Sequence, residues 1–243
     1  LENDNAYYSP EKYKVLLNGR EVGGERDTNV FSLFNLSPDT HYTVGTTADD
    51  YTLSFRTERE SGTVNVKDLG AKGDGVSDDT YYVQMAIDSC PRGGRVIIPQ
   101  GSFYVRPIVL RSDITIEIYK DGELLGDIAE EHYPYVPAKI EHDDGTEEIL
   151  ATWEGNPHPC HQSLISAYRQ KNIRIVGEGT INGNADKSTW WATPKGRAVA
   201  RPRLVTLNKC EDVVFHGVTC KNSAAWNLHP FFSKNLGFFD VKV

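Results

Sequence analysis

An all-β fold is predicted: a parallel β-helix capped by one short helix and preceded by a small antiparallel β module. Three observations carry that expectation. Val213, Phe215 and Val218 recur as Leu236, Phe238 and Val241, 23 residues later, an interval suited to one rung of a parallel β-helix. Residues 101–243 read as short strands punctuated by Gly, Asn and Asp, without helices. The one amphipathic helix stands before this series, where stacked rungs need an end cap.

Residues 1–60 form the first predicted domain and residues 61–243 the second. In the first, residues 13–17 read as a strand, Asn18-Gly19 as a hairpin turn and residues 20–22 as the start of the return strand. Residues 31–33, 42–44 and 51–55 supply further strands. The corner LSPDTHYTV, with Tyr42, is similar to the tyrosine corner of fibronectin type III modules, whose phenol oxygen bonds the backbone just upstream. Such sandwiches have about seven strands in about 100 residues, and four or five fit here. The resemblance therefore implies an incomplete module, cut on its N-terminal side, that serves as a spacer.

Residues 64–101 organise the second domain. Asp78 or Asp79 is placed to cap a helix over residues 79–88, and Val83, Ala86 and Ile87 fall on one of its faces. Pro91 and Gly93-Gly94 stop it, and the apolar run 95–99 reads as a strand covered on both faces. The patterns GAKGDGVSDDT and GGRVIIPQGSFYV resemble the start of the pectin-degrading right-handed β-helix enzymes, most closely the polygalacturonase family of glycoside hydrolases. The opening is shared with some phage tail spikes and lyases, so it bears on fold more than on chemistry.

Ile173, Ile175 and Gly177 fit the same repeat frame, 40 residues before Val213, Phe215 and Gly217. The excess of 17 falls in a loop over residues 184–202. It interleaves Lys187, Lys195, Arg197 and Arg201, with Arg203 just beyond, and Trp190 and Trp191. Arg holds a sugar carboxylate by paired hydrogen bonds, and an indole stacks on a ring face. The competing expectation is a solvated loop with its tryptophans folded under the rung. A second insertion, residues 127–160, carries His132, His142, Asp143, Asp144 and His158, with His161 just after. These spacings match no metal motif, so a polar surface loop is expected.

The segment ARPRLVTLNKCEDVVFHGVTCKNSAAWNLHPFFSKN carries the strongest resemblance to the polygalacturonases: Arg201-Pro202, Asn222-Ser223, Trp226 and His229 match family positions, while Ala224 and Ala225 depart from the commoner Ser-Pro. The resemblance implies Trp226 as a cleft wall and His229 as a donor to sugar, with core packing the alternative for Trp226. The family's later motifs, an Asn-Thr-Asp triplet, an Asp-Asp pair, Gly-His-Gly and Arg-Ile-Lys, are absent. Catalytic carboxylates are accordingly expected outside this chain. Asp78-Asp79 belongs to the helix start, and His216-Gly217 lacks the leading glycine. The substrate-binding candidates are Trp226, His229, Arg201, Arg203, Lys195, Arg197, Trp190 and Trp191.

The implied activity is hydrolysis of α-1,4-linked galacturonic acid chains in pectin, from chain ends, by an inverting mechanism, with this chain alone inactive. In that mechanism one carboxylic acid protonates the glycosidic oxygen and a carboxylate about 6.5–9.5 Å away activates water. The alternatives are a pectate lyase and a non-enzymatic carbohydrate-binding or tail-spike-like protein. A net charge of −8 disfavours nucleic-acid binding, so a polyanionic sugar needs a local basic cleft. No apolar run is long enough to cross a membrane. No cofactor or metal is expected. Cys90, Cys160, Cys210 and Cys220 are expected as buried thiols, with Cys210 and Cys220 the pair to test for a disulfide. No leader is visible, and the pectic substrate implies a secreted or periplasmic location, a cytoplasmic one also being compatible.

Overall fold

A computed structural model describes residues 7–192 and 197–243, and the chain divides into two compact units, residues 1–60 and 61–243. The first is a four-stranded antiparallel sheet, ordered Arg20–Thr28, Tyr8–Leu17, His41–Thr46 and Thr52–Arg56. Asn18 and Gly19 turn the hairpin with positive φ angles of 50° and 74°, which matches strand twist. Ser37 N–H donates to the Tyr42 phenol oxygen at 2.9 Å, and Tyr42 stacks on Phe55. Residues 31–33, predicted as a strand, lie outside the sheet ladder. Phe31 instead packs edge-on against Tyr13, covering apolar surface without pairing backbone.

The second unit coils through three parallel sheets. The first contains Thr63–Asn65, Gly94–Ile98, Ile114–Ile118, Lys171–Gly177, Glu211–His216 and Lys234–Phe239. The second contains Asp74–Asp78, Gly101–Val105, Gly122–Gly126, Thr180–Asn182 and Thr219–Lys221. The third contains Ile108–Val109, Ile165–Tyr168, Val205–Asn208 and Leu228–Phe231.

Alternation makes this coil. Successive side chains point to opposite faces of a strand, so Ile114, Ile116 and Ile118 point inward while Thr115 faces out. Ile116 pairs in register with Val96 and Ile175, Ile175 with Phe215, and Phe215 with Phe238, whose ring stacks on it at 5.4 Å. The 23-residue repeat is thus one rung of the coil. The strand after the helix is buried on one face only, through Gly94, Val96 and Ile98. Its other face carries Arg95, which pairs with Glu117 of the next rung at 2.6 Å. Gly177 has a φ of 114°, and an added Cβ would overlap the Ile118 carbonyl oxygen of the rung beside it.

The helix Thr80–Ser89 buries Val83, Ala86 and Ile87. Its N-terminus divides labour between two aspartates. Asp79 occupies the cap position but makes no side-chain cap bond. Fully buried, it accepts instead from the Lys72 and Gly73 N–H groups at 2.7 and 2.9 Å and so ties down the glycine turn. Asp78 accepts from Thr80 N–H at 3.0 Å. All four cysteines are buried free thiols, and burial pushes the Cys220 thiol up to about 12.

Removing the Asp79 carboxylate orphans two backbone donors, each costing about 1–3 kcal/mol when buried. Asp79→Ala is therefore expected to lower unfolding free energy by about 2–4 kcal/mol in urea titration, and Asp78→Ala by about 1 kcal/mol or less. Equal losses in the two variants would contradict the assignment.

Candidate functional site

The third sheet exposes an outward ladder. Register places Val109, Ser166, Thr206 and His229 in one row, and Tyr168, Asn208 and Phe231 in the next. The insertion folds back across this face through three small antiparallel pairs: Tyr135–Val136 with Cys160–His161, Lys139–Glu141 with Glu147–Ile149, and Thr152–Trp153 with Asn156–Pro157. Tyr133, Glu148, Ala151 and Cys160 are buried within it. The insertion expected as a polar surface loop keeps residues 141–147 exposed, while its buried Tyr133, Glu148, Ala151 and Cys160 make the rest a roof packed on the sheet.

Between roof and ladder lies a cavity of about 370 Å³. Val136, Ile140 and Leu150 supply an apolar ceiling, and Ser166, Thr206 and Asn208 supply polar groups from the sheet. Among the described residues Arg203 is the guanidinium of the lining, and no carboxylate lines it.

Arg203 and His229 meet at Thr152, Arg203 within the cavity lining and His229 outside it. Arg203 is 7% exposed, donates to the Thr152 carbonyl and, at 3.3 Å, to Cys160 Sγ, and lies 5.5 Å from the Trp153 ring. Its Nε is buried without a hydrogen-bond partner among the described residues, as is Asn208 Oδ1. His229 Nε2 stands 3.5 Å from Thr152 Oγ1, and its ring lies 5.0 Å from Phe231 and 5.5 Å from Trp226. Trp226 is 60% exposed, so the core-packing alternative fails for it and its face is open. The Ser223 hydroxyl, donating to the Trp226 carbonyl at 3.0 Å, shapes the turn that presents it.

The other candidates are placed differently. Trp190 is buried edge-on against Tyr133 at 5.2 Å and has no face to offer a sugar, so its substrate-binding role is corrected to packing. Arg201 is also buried. Its guanidinium lies 3.9 Å over the Trp191 ring and donates to the Trp190 carbonyl at 3.4 Å, which makes it a brace of the loop. Trp191 keeps part of its surface exposed and donates its indole N–H to the Ser223 carbonyl at 3.2 Å. Arg197 is paired with Glu130. Lys195 lies outside the described residues.

The histidines of the insertion are similarly engaged. His132 bonds Asp127 at 2.6 Å, His142 bonds Glu148 at 3.1 Å, His158 bonds the Arg197 carbonyl at 3.2 Å and His161 bonds Glu130 at 3.0 Å. Among the described residues no group of three or more His, Cys, Asp or Glu side chains is arranged to hold a metal.

Thr152, Trp153, Ser166, Thr206 and Asn208 escape recognition from single motifs. One signal was available: Ser166, Thr206 and His229 are spaced by 40 and 23 residues, the offsets of the core repeat, so they occupy one column of successive rungs.

Residues 63–132 match the family model for rhamnogalacturonase A/epimerase, pectate lyase-like. An exo-poly-α-D-galacturonosidase of Dickeya chrysanthemi is 32% identical over 174 residues, 71% of this chain and 27% of that protein. The chain is a relative of the polygalacturonases. A probable polygalacturonase of Vitis vinifera is 25% identical over 70% of this chain and 34% of its own length. Among solved structures, a Thermotoga maritima exopolygalacturonase superposes with a TM-score of 0.61 at 26% identity, covering 74% of this chain and 46% of that one. A Yersinia enterocolitica family 28 exopolygalacturonase shares the fold at a TM-score of 0.70 and 20% identity, over 99% of this chain and 55% of that one. The chain spans about a quarter to a third of the length of these two curated relatives.

Burial and the nearby Arg203 charge hold the His229 pKa down to about 4, from 6.5. An unfolded chain takes up this proton near 6.5 and the folded one near 4, so stability present above pH 6.5 is lost as pH falls toward 4. The shift corresponds to about 3 kcal/mol. His229→Gln is expected to remove most of that acid-side loss in denaturant midpoints measured from pH 7 to 4. An unchanged slope would show that His229 titrates normally.

Proposed function

We propose that this chain forms the part of an exo-acting polygalacturonase that receives the end of a galacturonate chain. The observation that carries the reading is the roofed pocket on the third sheet. A roof closes one side of what an open ladder would leave as a groove, and a closed groove accepts a chain end more readily than a chain interior. Arg203, the arginine of the pocket lining, is the carboxylate partner in this reading, because a guanidinium holds a carboxylate by paired hydrogen bonds. Ser166, Thr206 and Asn208 match sugar hydroxyls, and the exposed Trp226, whose ring lies 5.5 Å from His229, is read as a stacking platform.

Hydrolysis requires an acid and a base about 6.5–9.5 Å apart around a water molecule. Among the described residues no carboxylate lines the pocket, so in this reading the chain binds sugar and the acid–base pair belongs to another part of the enzyme. The named relatives support the substrate class: the Dickeya protein is an exo-poly-α-D-galacturonosidase and the Vitis protein a probable polygalacturonase. A pectic substrate favours a secreted or periplasmic location, and the first unit is read as a fibronectin type III-like spacer. No helix among the described residues is long and apolar enough to cross a membrane.

Two measurements test this. Calorimetric titration with trigalacturonate is expected to show saturable binding, weakened about tenfold or more by Arg203→Met and less by Arg203→Lys, with both variants checked for native melting. Equal affinity in all three proteins would remove Arg203 from the site. A reducing-end assay of this chain on polygalacturonate is expected to show no turnover. Turnover abolished by replacing one of its own carboxylates would overturn the division of labour.

A further inference from the structure

The roof is attached to the rungs by a charge cluster outside the pocket lining. Glu148 lies on the hairpin strand Glu147–Ile149 and is 4% exposed. One carboxylate oxygen receives Arg169 Nη2 at 2.8 Å and the Lys209 ammonium; the other receives His142 Nε2 at 3.1 Å. The Tyr168 phenol also bonds this carboxylate. Lys209, Tyr168 and Arg169 together hold its carboxyl well below the usual carboxylate range.

The two cations come from equivalent places. Tyr168 and Asn208 are register partners, and Arg169 and Lys209 follow them on stacked turns, both with positive φ, 53° and 55°. The third turn of this column carries Phe232, with a φ of 51°, so the cations occupy two of the three stacked turns. Beside it Asn208 Nδ2 donates to the carbonyls of Ile149 and Leu150 at 3.2 and 3.5 Å. The hairpin's other ion pair, Lys139 with Glu147, is exposed and internal to the hairpin, so it fastens nothing to the rungs.

We propose that Glu148 is a specificity-determining positioning residue, the latch that seats the hairpin over the third sheet and so sets how long a sugar chain the pocket admits. Ile140 and Leu150, which flank it on the hairpin, form the ceiling, while Tyr168 and Asn208, beside its cations, form the wall beneath. Losing the carboxylate leaves two cations facing one another without a counter-charge and frees the hairpin to lift. The pocket then becomes a groove open at this side. The selectivity part rests on the saccharide-binding reading above; the latch itself does not.

The test compares the chain with its Glu148→Gln variant, and with Lys209→Met as a second break from the cation side. Hydrogen exchange over residues 135–150 reads the latch, and calorimetry with mono-, tri- and hexagalacturonate reads the selectivity. In both variants, hairpin amides are expected to exchange about tenfold faster while rung amides do not. The affinity gap between trimer and hexamer is expected to narrow. Unchanged hairpin exchange overturns the latch. Faster exchange with the same length preference overturns its role in selectivity. If the unaltered chain binds none of the three sugars, the saccharide reading fails while the exchange result still decides the latch.

Discussion

In-register stacking of parallel strands is the constraint on which everything else in the second unit rests. Each rung contributes inward residues that meet the same positions of the rung before and after, as Ile116, Ile175, Phe215 and Phe238 do on the first sheet. A slip of one residue would turn every such side chain outward, so the buried column holds the outer column in place as well. That outer column is where Ser166, Thr206 and His229 stand. The pocket floor is therefore a by-product of core packing, and its spacing is that of stacked strands, about 4.7–4.9 Å.

The roof follows different physics. Its strands are two or three residues long and could not persist alone, so it is held by buried polar groups that reach the rungs. Asp127, Glu148, Arg201 and Arg203 are all buried, and each has a defined partner: His132, the Lys209–Arg169 pair, the Trp191 face and the Thr152 carbonyl. A buried charge is tolerated when its partners are in place and penalised when one is removed. These residues thus fix a single arrangement of the roof. Arg203 keeps one buried donor, its Nε, without a partner among the described residues.

Much of the coil was legible in the sequence because its signals are local and periodic. The 23-residue interval, the helix face of Val83, Ala86 and Ile87, and the glycine turns depend on residues near one another in the chain. The loop around Trp190 and Arg201 was not legible in this way. Cations interleaved with aromatics look alike whether they face solvent or brace one another, and Arg201 over Trp191 is the second case. Asp79 misled for a related reason: at a helix start its carboxylate has two sets of N–H groups within reach, and the choice of Lys72 and Gly73 depends on how the turn folds back. Several of the roof's contacts with the third sheet span 50 or more residues, as in Asn208 to Ile149 and Arg203 to Thr152, and no local pattern encodes them.

The central claim is that the roofed face of the third sheet holds the end of an acidic sugar chain. Saturation-transfer NMR on trigalacturonate with this chain tests it most directly, because the signal grows with each ring's proximity to protein. A roofed pocket predicts strong transfer to one terminal ring and graded loss along the other two. Even transfer to all three rings, or none to any, would contradict it.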